Sequence, residues 1–153
     1  MKKYAFLLYS LFLVVSCSTD NDMDYVDYSA QNEADITAYL DENNLIAQRS
    51  DSGLYYVIEA LGSGTQPIAT SNVTVAYKGY YLDGVVFDES DAAGVSFNLQ
   101  QVIPGWTEGI TYFKEGGNGI LLIPARLGYG SMDNRGIPGG SVLVFDVNLI
   151  SVN

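Results

Sequence analysis

The chain has 153 residues, 48% of them hydrophobic and 16% charged, with a formal net charge of −11 at pH 7. That length suits one globular domain with an appendage, and so acidic a chain is repelled by phosphate backbones, which excludes a nucleic-acid partner. With no histidine and one cysteine, a Ser-His-Asp triad, a Cys-His dyad, a histidine zinc site and an internal disulfide are excluded, so any chemistry falls to carboxylates, hydroxyls, backbone groups or a shaped apolar surface.

Residues 1–16 read as an export signal. Lys2 and Lys3 precede an apolar run from Tyr4 to Val15, shorter than the roughly 20 residues that span a bilayer. Val14-Val15-Ser16-Cys17 resembles the lipobox of bacterial lipoproteins, in which Cys17 would be acylated. An ordinary cleaved signal with a chance cysteine is the alternative. Residues 17–31 read as an acidic, flexible tether holding Asp20, Asp22, Asp24 and Asp27. The run from Asp20 to Asp24 has calcium-loop spacing, but Tyr25 stands where that loop needs glycine and Gln31 where it needs glutamate. No metal is therefore expected. Residues 32–50 form an N-terminal helical segment, with a helix over 32–43. Asn32 is its expected cap, Asp35 follows three residues on, and Ile36, Tyr39 and Leu40 share one face.

From Asp51 to Asn153 the pattern is that of strands. Runs rich in Val, Ile, Tyr and Phe cover 54–60, 73–81, 85–88, 95–99, 119–123 and 142–152. Between the fourth and fifth, Val102-Ile103-Pro104-Gly105-Trp106 opens a short helix, since proline is tolerated in a first turn. A glycine-rich loop runs over 124–140. One helix set late among antiparallel-looking strands predicts an α+β fold rather than a βαβ array.

Several of these pieces match one family in order. They are Val75-Ala76-Tyr77-Lys78-Gly79-Tyr80, then Leu82-Asp83-Gly84 with Phe87-Asp88-Glu89-Ser90, then Val102 to Gly109. They continue with Ile123-Pro124-Ala125-Arg126-Leu127-Gly128-Tyr129-Gly130, then Ile137-Pro138 and Leu143-Val144-Phe145-Asp146-Val147. Together they resemble the FKBP-type peptidyl-prolyl cis-trans isomerases. The resemblance implies a curved antiparallel sheet of about five strands around one short helix. It implies a pocket with Trp106 as floor and Tyr77, Phe87, Asp88, Tyr129 and Phe145 as its working residues. Phe97, Val102, Ile103 and Ile137 would also touch substrate, with the Ile103 N–H and the Tyr129 hydroxyl donating to its carbonyl. Without the resemblance, Trp106, Phe145 and Tyr77 would pass for ordinary core. The implied activity needs no cofactor. Its substrates would be proline-containing segments of exported proteins, with macrolides of the rapamycin class as inhibitors. The membrane would be engaged only through the lipid anchor, placing the protein in the cell envelope at the outer membrane, facing periplasm or surface.

Two departures stand out. Gly139 and Gly140 replace the proline and polar residue that often follow Ile137-Pro138 in the family, which predicts a looser loop. The connection from Phe97 to Val102 is also two residues short. The rival readings are a non-catalytic chaperone or binding module, and carboxylate hydrolysis, for which no pair of acids is singled out by spacing.

Overall fold

A computed structural model describes residues 26–153; the signal, Cys17 and the tether up to Tyr25 lie outside the described residues. Seven strands form one antiparallel sheet: β1 (Gln48–Arg49), β2 (Tyr55–Ala60), β3 (Asn72–Tyr80), β4 (Val86–Glu89), β5 (Val95–Asn98), β6 (Asn118–Ile123) and β7 (Leu143–Val152). Their spatial order is β1-β2-β6-β7-β3-β4, and β5 also pairs with β3. The last two strands divide one edge of β3: Lys78 to Tyr80 pair with β4 and Asn72 to Val75 with β5. The resemblance implies about five strands and the sequence runs number six; the strand not anticipated is β1, whose two residues are too few to carry a periodic signal.

Alternation explains which way the sheet faces. In β7, Phe145, Val147 and Leu149 are buried while Asp146, Asn148 and Ile150 are exposed. In β3, Val73 and Val75 are buried and Tyr77 is half-buried on the same face. That face curls over α2 (Pro104–Gly109), which Pro104 opens at its first positions, as expected. A helix so short derives its stability from packing rather than propensity. Gly105 and Gly109, one turn apart, make the close seating possible: a Cβ on Gly105 would meet Ile123 Cγ2 at 2.5 Å, and one on Gly109 would meet Leu121 Cδ1 at 2.8 Å.

The opposite face is covered too. α1 (Ser29–Glu42) lays Ile36 and Leu40 against Tyr55, Leu122, Val142 and Val144. β6 is thus buried on both sides, with Leu121 and Ile123 in the inner cluster and Leu122 in the outer. Arg49 and Glu33 pair at 3.0 Å, and the Tyr55 hydroxyl donates to the same carboxylate at 2.5 Å, clipping α1 to β1 and β2. The helix starts three residues before the expected position. Asp27 Oδ1 accepts the Ser29 N–H at 2.9 Å near the entry. Asn32 is therefore no cap: it lies inside the helix, and its carboxamide is committed to partners elsewhere in the fold.

A second clip seats α2. Burial pushes the Glu108 carboxyl up, but hydrogen bonds from Ser52, Ser50 and Tyr112 outweigh that and hold it below the usual carboxylate range. Ser52 Oγ donates to Oε2 at 2.5 Å and the Tyr112 hydroxyl to Oε1 at 2.8 Å. A carboxylate whose pKa is depressed on folding stabilises the fold above its unfolded pKa, and that contribution is lost as pH falls through the folded value. Glu108→Gln is therefore expected to lower the melting temperature at pH 7, with the difference from wild type shrinking as the pH falls below the usual carboxylate range, as read by thermal unfolding from neutral to acid pH.

Candidate functional site

The inner face of the sheet and the N-terminus of α2 enclose an open cavity of about 380 Å³. Trp106 is its floor: the residue is 5% exposed overall, yet it contributes to the lining. α2 holds the indole, and three aromatic rings meet it edge to face. Tyr77 from β3 lies 5.1 Å away at 86°, Phe97 from β5 at 5.3 Å and 63°, and Phe145 from β7 at 5.2 Å and 87°. Phe87 from β4 stands on Phe145 at 5.5 Å and 88°. Such edge-to-face pairs add about 0.5–1.5 kcal/mol each beyond burial, so the walls hold one another in place. Gly79 makes room for two of them: a Cβ there would meet Phe145 Cε1 at 2.7 Å and Phe87 Cζ at 2.8 Å.

The polar groups gather at the rim. Asp88 in β4 is exposed, and its Oδ2 accepts the Tyr77 hydroxyl at 2.7 Å. Burial, and then that carboxylate, push the Tyr77 phenol up to about 12, so it stays a neutral donor throughout the neutral and mildly alkaline range. Ile103 ends an extended approach to α2. Its carbonyl accepts from Trp106 and Thr107, whereas its N–H has no partner among the described residues, which leaves one backbone donor at the cavity wall. Tyr129, 38% exposed, reaches the cavity from the β6–β7 connection.

Nine of the ten residues singled out in the sequence line this cavity: Tyr77, Phe87, Asp88, Phe97, Val102, Ile103, Trp106, Tyr129 and Phe145. Ile137 does not. Asn134 and Ile137 exchange backbone hydrogen bonds at 2.9 Å across a tight turn. Arg135 and Gly136 inside it have φ of 49° and 89°, the signs of a type I′ turn. Ile137 then packs half-buried on the inner core, and Arg135 lines the cavity in its stead. Val95 and Gln101 also line it. Nothing in the periodicity marked Gln101 or Arg135, because exposed loop residues carry no pattern; Val95 lay in an expected strand and could have been inferred from its alternation with Phe97.

The shortened approach from Phe97 is a single 3-10 turn, Leu99–Gln101. Both glycines of the pair have close partners. The Gly139 N–H donates to Asp133 Oδ1 at 2.8 Å, and a Cβ on Gly140 would meet the Tyr28 ring at 2.5 Å. A broader depression of about 550 Å³ on the sheet includes Glu59, Lys78, Asp91, Asn118, Asp146 and Asn148 in its lining. Charged and amide groups of that kind keep a guest hydrated, whereas the aromatic cavity strips water from it. Among the described residues no three acidic or cysteine side chains gather as a metal site.

A family model described as FKBP-type peptidyl-prolyl cis-trans isomerase matches residues 63–150. The FKBP-type peptidyl-prolyl cis-trans isomerase FkpA of Escherichia coli K12 is 47% identical over 105 residues, covering 67% of this chain and 39% of the relative. FkpA of Aeromonas hydrophila is 38% identical over 133 residues, covering 86% of this chain and 49% of the relative. The chain thus spans less than half the length of these curated relatives. Among solved structures, FkpA from Escherichia coli superposes with a TM-score of 0.73 at 41% identity, covering 81% of this chain and 60% of that one. A peptidyl-prolyl cis-trans isomerase from Pseudomonas syringae superposes with a TM-score of 0.71 at 29% identity, covering 84% of this chain and 97% of that one.

Proposed function

Since the chain belongs to the FKBP-type peptidyl-prolyl cis-trans isomerase family, we propose that it accelerates rotation about X-Pro bonds in the aromatic cavity over Trp106. The cavity itself, floored by an indole and walled by Tyr77, Phe97 and Phe145, is the observation that carries this reading.

Amide resonance sets a barrier of about 18–20 kcal/mol, so an X-Pro bond isomerises unaided in tens to hundreds of seconds. No bond is broken, and neither nucleophile nor proton shuttle is needed. The planar imide is more polar than the twisted one, and water favours it. Removing that water in an apolar cavity lowers the cost of the twist. A thousandfold gain needs only ~4 kcal/mol. The Ile103 N–H and the Tyr129 hydroxyl hold the substrate carbonyl, and the Asp88 carboxylate, engaged by Tyr77, forms the polar edge.

The test is a protease-coupled or exchange assay on an X-Pro peptide with an apolar residue before proline, using the soluble form that starts after Cys17. Acceleration is expected; a folded protein without it overturns the enzyme reading and leaves the binding module. Phe87→Ala is expected to weaken a rapamycin-class macrolide at least tenfold by titration calorimetry, since it removes one cavity wall.

We propose further that Cys17 is acylated and tethers the domain in the cell envelope, at the outer membrane. The substrates would then be proline-containing segments of exported proteins. The basic pair Lys2 and Lys3, the apolar run and the lipobox-like Val14-Val15-Ser16-Cys17 support this. Labelled fatty acid should enter the wild-type chain and not Cys17→Ala, and protease shaving of intact cells reads which face the domain occupies.

A further inference from the structure

Asn32 is the one buried polar side chain among the described residues, at 2% exposure. It comes from α1, outside the segment that the family model matches. Both ends of its carboxamide are used, and each reaches one end of the connection between β6 and β7. Its Oδ1 accepts the Ala125 N–H at 2.8 Å, and its Nδ2 donates to the Gly140 carbonyl at 2.9 Å. The same two residues are joined a second way. The Gly130 N–H donates to the Ala125 carbonyl at 2.8 Å, and the Gly140 N–H donates to the Gly130 carbonyl at 2.9 Å. Asn32, Ala125, Gly130 and Gly140 therefore close a ring of four hydrogen bonds, in which a side-chain amide stands where a fourth peptide group would.

The ring has a position of consequence. Gly130 follows Tyr129, whose side chain lines the cavity from a largely exposed loop. Gly130 and Gly140 have φ of 84° and 79°, backbone that residues with a Cβ adopt only under strain. Tyr28, one turn before Asn32, packs its ring over Gly140, leaving no space for a Cβ. A loop that lacks a ladder of its own is thus fixed from behind by the first turns of α1. A buried carboxamide so placed is costly to leave half-satisfied, which makes the arrangement all-or-none.

We propose that Asn32 is a positioning residue for the cavity: through the ring it fixes Gly130, and so sets where Tyr129 presents its hydroxyl. The effect on turnover rests on the isomerase reading given above; the ring and its effect on the loop do not.

Three full-length chains are compared by thermal unfolding, by amide hydrogen exchange and by X-Pro isomerisation. They are wild type, Asn32→Ala, and Ile36→Val as a control for loss of α1 packing. In Asn32→Ala the Gly130 and Gly140 amides are expected to exchange at least tenfold faster, with kcat/KM about tenfold lower. Ile36→Val is expected to lower the melting temperature while leaving both quantities within about twofold of wild type. If the alanine variant does not fold, Asn32→Ser, with one polar atom where asparagine has two, replaces it under the same expectations. Wild-type exchange at Gly130 and Gly140 in the Asn32 variant overturns the proposal. So does a loss of activity in Ile36→Val that matches the Asn32 variant at equal destabilisation. An inactive wild type would overturn the isomerase reading instead, and the exchange rates would still decide whether Asn32 holds the loop.

Discussion

Trp106→Ala is expected to lower kcat/KM for an X-Pro peptide by about a hundredfold, the equivalent of ~2.7 kcal/mol in the barrier, and to destabilise the fold by about 3–5 kcal/mol. Both effects have the same origin. The indole is 5% exposed and meets Tyr77, Phe97 and Phe145 edge to face. Its removal takes out the floor and the common support of three walls. Water then enters the space where the imide must be stripped of it. Trp106→Leu separates the contributions: an apolar floor remains, the ring edges lose their partner, and the loss of kcat/KM is expected to shrink to about tenfold. Peptide assays well below the melting temperature of each variant, alongside denaturant unfolding, check the pair. A folded Trp106→Ala variant with wild-type kcat/KM would remove the indole from the mechanism.

Gly79→Ala is expected to do the opposite in kind, with little cost to the fold and a large cost to the cavity. The added methyl would sit 2.7 Å from Phe145 Cε1 and 2.8 Å from Phe87 Cζ. Those are ring edges, which can turn, and no backbone lies among the three nearest atoms. Relief by ring rotation costs about 1–2 kcal/mol of stability and disturbs two cavity-lining side chains at once. A fall of about tenfold in kcat/KM is expected, with the melting temperature dropping by only a few degrees. Crystal structures of the variant would show both rings displaced; unmoved rings with full activity would refute the account.

Much of this was legible in the chain itself. Alternation located β3, an apolar run located β7, and Pro104 marked the start of α2. The aromatic set could be drawn together only because the family resemblance places its members in order; by pattern alone Trp106, Phe145 and Tyr77 pass for ordinary core. What stayed hidden has a physical reason in each case. An asparagine near a helix start can cap or can staple, and Asn32 staples because its partners lie 93 and 108 residues away, beyond any local pattern. Ile137 was expected at the cavity, yet at the turn over Asn134 to Ile137 it is Arg135 that lines it, with the isoleucine half-buried against the inner core. That exchange depends on left-handed φ values at Arg135 and Gly136, and an arginine gives no warning of one. The paired glycines at 139 and 140 suggested slackness, whereas close approach of Tyr28 is what Gly140 permits.

The division of one edge of β3 between β4 and β5 has a mechanical consequence. Phe87 and Phe97 hang from separate short strands on a shared rail, like two jaws. Moving either one breaks a brief ladder and its edge-to-face contact with Phe145 or Trp106, while the long β3–β7 pairing stays intact. On the isomerase reading, the two walls would therefore yield to a guest independently of each other.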